Sequence, residues 1–316
     1  MLGIIKFLFP SSLRVRIVDY LYSTPMCIKS NRLFNLVGGN IVRLLWFRIQ
    51  FLFRAYKVKR DVKYESLVNC LRRDGIVRIE NFLSDEEFSE VLNEYHGLYE
   101  EFHATSAFQF PIQKRFFLGK SRLEHADKFR VKGLVLKKFL FDRSPIKYVV
   151  QRYTRRKINL SPSIVYGEEF YKQDDLGKKS QNKTVMPHYD VPYHSLKVFF
   201  YLNDVDEKNG AFHYSYGSHR FGWRRLLLEY FTSNNIAAKR YPQVNYENCS
   251  FFNYYENNMK PIVGKANTLI IFDVMGIHKR GEFSTTQPRQ TARASYRILD
   301  SWANSCSGLI KRFVNL

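Results

Sequence analysis

Residues 269–272 read Leu-Ile-Ile-Phe, and this short apolar run, with His278 six residues beyond its end, decides the fold. An uninterrupted apolar run of this length is typical of a buried strand. Four further stretches have strand-like patterns: 163–166, 196–202, 211–216 and 293–299. The second half of the chain is therefore predicted to be mostly β structure.

The first half of the chain has mainly helical patterns, interrupted by glycine and proline. Gly75 ends one predicted helix. Ser84 stands three residues before Glu87, the spacing of a capping box, which predicts a helix that begins there. Residues 100–160 read as a mixture of helix and loop, and helix is again predicted near 223–231. This order favours an α+β fold in which a double-layered β core is flanked by helices.

The composition places the chain among globular proteins. Of its 316 residues, 45% are hydrophobic and 16% are aromatic, which excludes a chain that is mainly disordered. The four cysteines are spread far apart, and no CxxC pair indicates a zinc or disulfide framework. This cysteine usage favours a reducing, cytoplasmic location.

The formal net charge of +21 is concentrated near the N-terminus. Residues 1–60 contain eleven basic residues and one acidic residue, which gives 11 − 1 = +10. No window in this segment has the ~18 uninterrupted apolar residues that a membrane-spanning helix needs. On a helical wheel, one narrow face carries Arg43, Gln50, Arg54 and Lys57.

We therefore expect residues 1–60 to form a basic amphipathic helical segment that associates with an anionic membrane surface. Two alternatives stay open: a helix packed on the protein with a basic face towards solvent, and a nucleic-acid-binding segment. Nucleic acid is less favoured, because the basic residues are mixed with aliphatic ones. A secretory signal is not expected, because no small-residue cleavage site follows the apolar start.

Three residues have the chemistry of a metal site. In the tripeptide His188-Tyr189-Asp190, the first and third residues project to the same side of an extended segment. His278 would add a second imidazole. Two histidines and one carboxylate, with the other coordination positions open, form the facial triad of non-haem Fe(II) oxygenases. The tripeptide alone is a weak signal, since a single histidine is more often an ordinary surface or core residue.

Arg289 follows His278 by eleven residues and precedes another strand-like run. A guanidinium group binds a carboxylate through two parallel hydrogen bonds, so this residue is a candidate anchor for a dicarboxylate cosubstrate. Arg293 is a competing candidate, and the sequence does not decide between the two.

The chain resembles the phytanoyl-CoA dioxygenase family of Fe(II)/2-oxoglutarate-dependent oxygenases. The resemblance covers about residues 65–300 and depends on matching stretches that occur in the order of the family. These stretches are 71–87, 188–190, 201–210, 216–220 and 266–278, followed by Arg289. The first ~60 residues lie outside the resemblance.

The resemblance implies a double-stranded β-helix, or jelly roll, in a dioxygenase domain of residues 61–316. It implies His188, Asp190 and His278 as iron ligands and Arg289 as the partner of the distal carboxylate of 2-oxoglutarate. It also implies O₂ as the oxidant and hydroxylation of a small molecule as the default outcome. Two further residues are weaker candidates for lining the cosubstrate pocket, and they are Thr268 and Phe199.

The substrate is less clearly indicated. Lys279 and Arg280 follow His278, and two cations near the site favour an anionic substrate such as a lipid, a lipid-linked glycan or an acyl conjugate. An aromatic-rich insertion at about 221–260 is expected to form either a substrate lid or a separate hydrophobic cluster. A catalytically silent family member that binds a membrane or a partner protein is the alternative function.

Overall fold

The computed structural model describes the residues 32–52, 58–104, 109–110, 113–118, 130–131, 134–136, 138–139, 144–155, 164–170, 187–190, 194–234, 250–285 and 287–296. Within these ranges the helices are α1 (Arg32–Leu36), α2 (Gly39–Leu52), α3 (Val62–Asp74), α4 (Asp85–Ala104), α5 (Leu134–Leu136), α6 (Ser144–Thr154), α7 (Trp223–Asn234) and α8 (Ser250–Asn257).

The strands of the described residues form two sheets. Their bounds are β1 (Ile76–Ile79), β2 (Gln109–Phe110), β3 (Gln113–Leu118), β4 (Arg130–Val131), β5 (Ile164–Phe170), β6 (Leu196–Tyr201), β7 (Phe212–Ser215), β8 (Met259–Ile262), β9 (Thr268–Asp273), β10 (His278–Arg280) and β11 (Arg289–Tyr296). The large sheet has the order β1-β9-β6-β11-β5-β3-β2, with β4 paired to β3, and the small sheet has the order β10-β7-β8. Both are antiparallel except for the β3–β4 pair.

Strand β9 explains how the two layers are held together. Its side chains alternate between two cores: Leu269 and Ile271 pack against helices, while Ile270 and Phe272 pack against the small sheet. The helical core includes Val68 of α3 and Val149 of α6. The four central residues of the strand, 269–272, are all apolar because both of its faces are buried. The expected α+β class, with a two-layer antiparallel core of the jelly-roll type between helices, is confirmed.

The sequence predictions for the end of α3 and the start of α4 are confirmed. Gly75 caps α3 with φ 81°, the left-handed conformation that favours glycine. The backbone N–H of Ser84 donates to Glu87 Oε2 at 3.1 Å, and the N–H of Glu87 donates to Ser84 Oγ at 3.3 Å. These reciprocal bonds form the capping box that starts α4.

The expectation for residues 100–160 was incomplete. Besides helix, this region contributes β2, β3 and β4, which extend the large sheet beyond β5. Strand β3 holds two adjacent phenylalanines, Phe116 and Phe117, next to basic residues. Its pairing with β5, rather than its own alternation, defines it as a strand.

The burial of residues on helix α2 differs from the helical-wheel prediction. Arg43, expected on a basic solvent face, is fully buried, and the neighbouring Asn40 is buried as well. Solvent instead meets an apolar stripe at i, i+3, i+7 and i+10, formed by Val42, Leu45, Ile49 and Leu52. The reason is that the polar side packs on α7, where Asn40 donates to the Glu229 carboxylate. Arg54 and Lys57 lie outside the described residues.

No helix in the described part of the chain is long and apolar enough to cross a membrane.

Candidate metal centre

The backbone brings the two candidate histidines together. The N–H of His188 donates to the carbonyl oxygen of His278 at 2.9 Å, and the N–H of His278 returns the bond to His188 at 2.8 Å. The N–H of Asp190 donates to the carbonyl oxygen of Val274 at 3.0 Å. The segment of residues 188–190 is thus fixed against the start of β10, and the side chains of its first and third residues project to one side.

The three side chains converge as the sequence predicts. The ligand atoms of His188, Asp190 and His278 all lie within 4.8 Å of one another. Nε2 of His188 is 3.9 Å from Asp190 Oδ1, and Nε2 of His278 is 3.8 Å from Oδ2. Adjacent ligands held at about 2.1 Å by one ion lie about 3 Å apart, so these side chains would have to approach one another by about 1–2 Å to share an ion. Two imidazoles and one carboxylate suit Fe(II).

The protonation states also suit a metal ion. Nδ1 of His278 donates to the carbonyl oxygen of Gly276 at 2.8 Å, so Nε2 is the unprotonated atom that faces Asp190. Burial, reinforced by the nearby His188, lowers the pKa of His278 to about 3. Desolvation alone would raise the pKa of Asp190, but Lys197 and the two histidines hold it below its ordinary value. Neutral imidazoles and an ionised carboxylate are the forms that bind metals.

Lys197 is a site residue that sequence reasoning missed. Its ammonium group donates to Oδ2 of Asp190 at 2.6 Å. Lys197 lies on β6, where it shares a face with Phe199 and Tyr201, and that face is turned towards the small sheet. The signal that could have identified Lys197 was a positively charged residue at an inward-facing position of a predicted strand.

The candidates for the cosubstrate pocket lie on the same inner face. Thr291 pairs with Tyr201 and Arg293 with Phe199, so Arg289, two residues before Thr291, also points inwards. Arg289 is 4% exposed and donates to the carbonyl oxygen of Gly210, whereas Arg293 is only partly buried.

Thr268 and Phe199 occupy related positions. Thr268 pairs with Tyr201 on β6, and its Oγ1 is buried with no hydrogen-bond partner among the described residues. A buried hydroxyl of this kind can form a hydrogen bond with a polar ligand. The ring of Phe199 contacts that of Phe272, which lies 5.6 Å from the His278 ring.

The side chains of Lys279 and Arg280, the two cations after His278, project to opposite sides of β10. Arg280 pairs with Phe212, whose side chain lies in the core between the sheets, so Arg280 projects to the same side as His278. Lys279 pairs with His213 and projects to the opposite side. Only one of the two predicted cations therefore faces the candidate centre.

A second cluster of polar side chains surrounds Asp273, before the turn that leads to His278. The fully buried carboxylate of Asp273 accepts hydrogen bonds from Tyr153 Oη at 2.6 Å, His194 Nδ1 at 2.5 Å and the N–H of Met275 at 2.9 Å. His219 lies beside it, with Nε2 3.3 Å from the carbonyl oxygen of Arg72. Asp273 ends β9, so this cluster fixes the turn that leads to His278.

The structure describes only part of the predicted insertion at about 221–260. Tyr255 is buried in a cluster with Leu228 and Ile277, as a separate hydrophobic cluster would require, while Tyr254 is 46% exposed. Of the aromatic residues that favoured a lid, those at 241 and 246 lie outside the described residues.

One comparison with known proteins identifies the family of this chain. The model of the phytanoyl-CoA dioxygenase (PhyH) family matches residues 71–291. No relative among curated proteins matches the chain. Similar solved structures include AviO1 from Streptomyces viridochromogenes, at 12% identity over 77% of this chain and 98% of that chain, with a TM-score of 0.45.

Two other similar solved structures contain bound ligands. The epimerase SnoN in complex with Fe³⁺, alpha ketoglutarate and nogalamycin RO has 17% identity over 74% of this chain and 83% of that chain, with a TM-score of 0.48. EctD from S. alaskensis with bound Fe has 14% identity over 77% of this chain and 80% of that chain, with a TM-score of 0.45. Similarity at this level carries no argument about the substrate.

Proposed function

The chain belongs to the phytanoyl-CoA dioxygenase family of Fe(II)/2-oxoglutarate-dependent oxygenases, and from this premise we propose that it hydroxylates an anionic or amphiphilic small molecule. The observation that carries the proposal is the convergence of His188, Asp190 and His278, whose ligand atoms lie within 4.8 Å of one another. Substrates in this class include a lipid, a lipid-linked glycan or an acyl conjugate.

Each residue of the site has one role in this proposal. His188, Asp190 and His278 hold iron, which when bound supplies O₂ activation coupled to the oxidative decarboxylation of 2-oxoglutarate. Arg289 binds the distal carboxylate of 2-oxoglutarate through its guanidinium group. Thr268 and Phe199 line the cosubstrate pocket, the first with a hydroxyl and the second with an apolar wall.

The charge of the inner face supports an anionic substrate. Arg280 projects towards the side of His278 and Arg293 lies on the inner face of β11, while Lys197 on the same side is paired with Asp190. Cations that line a cavity of low dielectric attract an anionic group more strongly than cations in water do.

The direct test is succinate formation. Purified protein with Fe(II), O₂ and 2-oxoglutarate is expected to release succinate slowly without substrate and faster with an anionic amphiphile. The His188→Ala variant is expected to release none. A folded protein that produces no succinate above this variant, with any anionic amphiphile tried, would contradict the proposed activity.

One observation favours the alternative, a catalytically silent protein. The Lys197 ammonium already neutralises Asp190 in this structure, as a structural ion pair would. The succinate measurement separates the two functions, because a silent protein releases none in either form.

We also propose that residues 1–60 attach the enzyme to an anionic membrane surface on the cytoplasmic side. The exposed stripe of α2 supports this, together with Leu33 and Val37, which are each 80% exposed. Residues 32–60 contain no acidic residue and, besides the buried Arg43, six basic residues, so the charge of the segment complements an anionic surface.

Flotation with vesicles tests the attachment. The full chain is expected to float with vesicles rich in phosphatidylserine and not with neutral vesicles. The variant Leu45→Glu, on the exposed stripe, is expected to float poorly while keeping its fold. If this variant floats as well as the wild type, or if it only dissociates a dimer, the stripe is covered by something other than a membrane.

A further inference from the structure

Helix α2 lies outside the part of the chain that the family model matches, yet hydrogen bonds link it to the metal-ligand segment. The link is the carboxylate of Glu229 on α7, which is 1% exposed. Its Oε2 accepts a hydrogen bond from Tyr189 Oη at 2.7 Å and another from Asn40 Nδ2 of α2 at 3.2 Å. Tyr189 is the residue between the two ligands His188 and Asp190.

The same carboxylate connects to the other ligand through Arg225. Glu229 Oε1 accepts from Arg225 Nε at 2.9 Å, and Arg225 Nη1 donates to the carbonyl oxygen of Met275 at 2.9 Å. Met275 belongs to the turn that leads into His278. One buried group therefore joins α2 to both segments that carry metal ligands.

The other end of α2 makes a second contact with the same region. The ring of Phe51 packs on the imidazole of His194, with centroids 4.6 Å apart. His194 in turn donates to Asp273, the last residue of β9. One end of the helix is thus linked to Tyr189 through Glu229, and the other end contacts His194 directly.

We propose that helix α2 is a positioning element of the metal centre, with Asn40 acting on Tyr189 through Glu229 and Phe51 acting on His194. The backbone orientation of residue 189 determines where the side chains of His188 and Asp190 point. Loss of a group that orients metal ligands weakens metal binding even when the ligands themselves are intact. This inference rests on the proposed metal site and is independent of membrane attachment.

A double-mutant cycle between Asn40→Ala and Tyr189→Phe tests the link. The readout is anaerobic titration of the full-length protein with Co(II), followed by its visible absorption. Each single change is expected to raise the dissociation constant about tenfold. The double change is expected to raise it by clearly less than the product, because both changes remove donors to the same oxygen of Glu229.

Controls separate positioning from general loss of stability. Val42→Ala and Leu45→Ala, on the outward stripe of the same helix, are expected to leave Co(II) affinity unchanged. Urea unfolding of each metal-free variant measures stability independently. Phe51→Leu, a milder change at the other end of the helix, is expected to weaken Co(II) binding if Asn40→Ala does not fold.

Two results would overturn the inference. In one, Asn40→Ala and Phe51→Leu lower stability but leave the Co(II) dissociation constant unchanged, so that α2 is only a packing element. In the other, the effects of Asn40→Ala and Tyr189→Phe multiply independently. Absence of Co(II) binding in the wild type would instead refute the metal site itself, and the inference with it.

Discussion

The ammonium group of Lys197 lies 2.6 Å from Oδ2 of Asp190, the oxygen that is also nearest to His278 Nε2. The two charges form an ion pair at the candidate metal centre, on the inner face of β6. A metal ion bound by Asp190 would therefore have a second positive charge within a few ångströms. The electrostatic consequence is that Lys197 weakens metal binding while it fixes the carboxylate.

Removing the charge of Lys197 is expected to strengthen metal binding. At an effective dielectric constant of 20, two unit charges about 5 Å apart repel by roughly 3 kcal/mol, while the lost hydrogen bond between charged groups contributes about 1.5–3 kcal/mol. We expect Lys197→Met to lower the Co(II) dissociation constant by up to about tenfold. Lys197→Arg, which keeps the charge, serves as the control. Weaker binding by the methionine variant would show that orientation of Asp190 outweighs repulsion.

Arg289 is expected to determine the affinity for 2-oxoglutarate. A lysine at this position keeps the charge but loses the paired hydrogen bonds, so Arg289→Lys should raise the dissociation constant for 2-oxoglutarate about tenfold. Calorimetric titration of the Co(II)-loaded protein measures it, and Co(II) affinity should be unchanged.

Arg293→Lys is the matched variant, since both arginines lie on the same face of β11. It is expected to have a much smaller effect, because Arg293 is more exposed than Arg289. A larger effect at Arg293 would transfer the anchor to that residue.

Glu65 is expected to make stability depend on pH in the acid range. The hydrogen bond from Arg152 lowers the pKa of Glu65 below its ordinary value of 4.5, with Tyr148 adding to the effect against the cost of burial. The folded state therefore binds fewer protons than the unfolded state. The stabilisation is complete above about pH 4.5 and is lost as the pH falls through the lowered pKa.

Urea unfolding of Glu65→Gln measures this contribution. At pH 7 the variant should be less stable by about 1–3 kcal/mol, and the difference should shrink towards pH 3. A difference that stays constant with pH would mean that shape, rather than charge, stabilises the contact between α3 and α6.

Two glycines should respond to alanine in opposite directions. Gly75 has φ 81°, and a Cβ there would collide with the side chains of His219 and Tyr214. Gly75→Ala is expected to lower the free energy of unfolding by about 2–4 kcal/mol. Gly97, within α4, has open space around it, so Gly97→Ala should raise stability by about 0.5–1 kcal/mol. Equal effects of the two changes in thermal unfolding would contradict the assigned conformation of Gly75.

Local patterns predicted the elements that depend on their own residues. The apolar run of β9, the glycine after α3 and the capping box of α4 each carry their cause within a few positions. The convergence of His188 and Asp190 was also predictable, because these two residues need only an extended segment to face one way. His278 was a candidate from its position after the apolar strand, and the family resemblance strengthened its assignment to the same site.

Contacts between distant segments were not predictable from one sequence. The helical wheel predicted that Arg43 faces solvent because the residue is charged. In the structure, the side of α2 that is buried packs on α7, where Asn40 contacts Glu229. Lys197 looked like an ordinary strand cation until its strand was placed opposite Asp190. Burial of a polar residue depends on its partner, and a single sequence does not reveal the partner.

The most direct measurement of the proposed chemistry is an anaerobic visible spectrum of the protein with Fe(II) and 2-oxoglutarate. We expect a weak metal-to-ligand charge-transfer band in the wild type, no band in His188→Ala and a weakened band in Arg289→Ala. That result would establish His188 as a ligand and Arg289 as the cosubstrate anchor. A folded wild-type protein without the band would contradict the assignment of this site as an iron and 2-oxoglutarate centre.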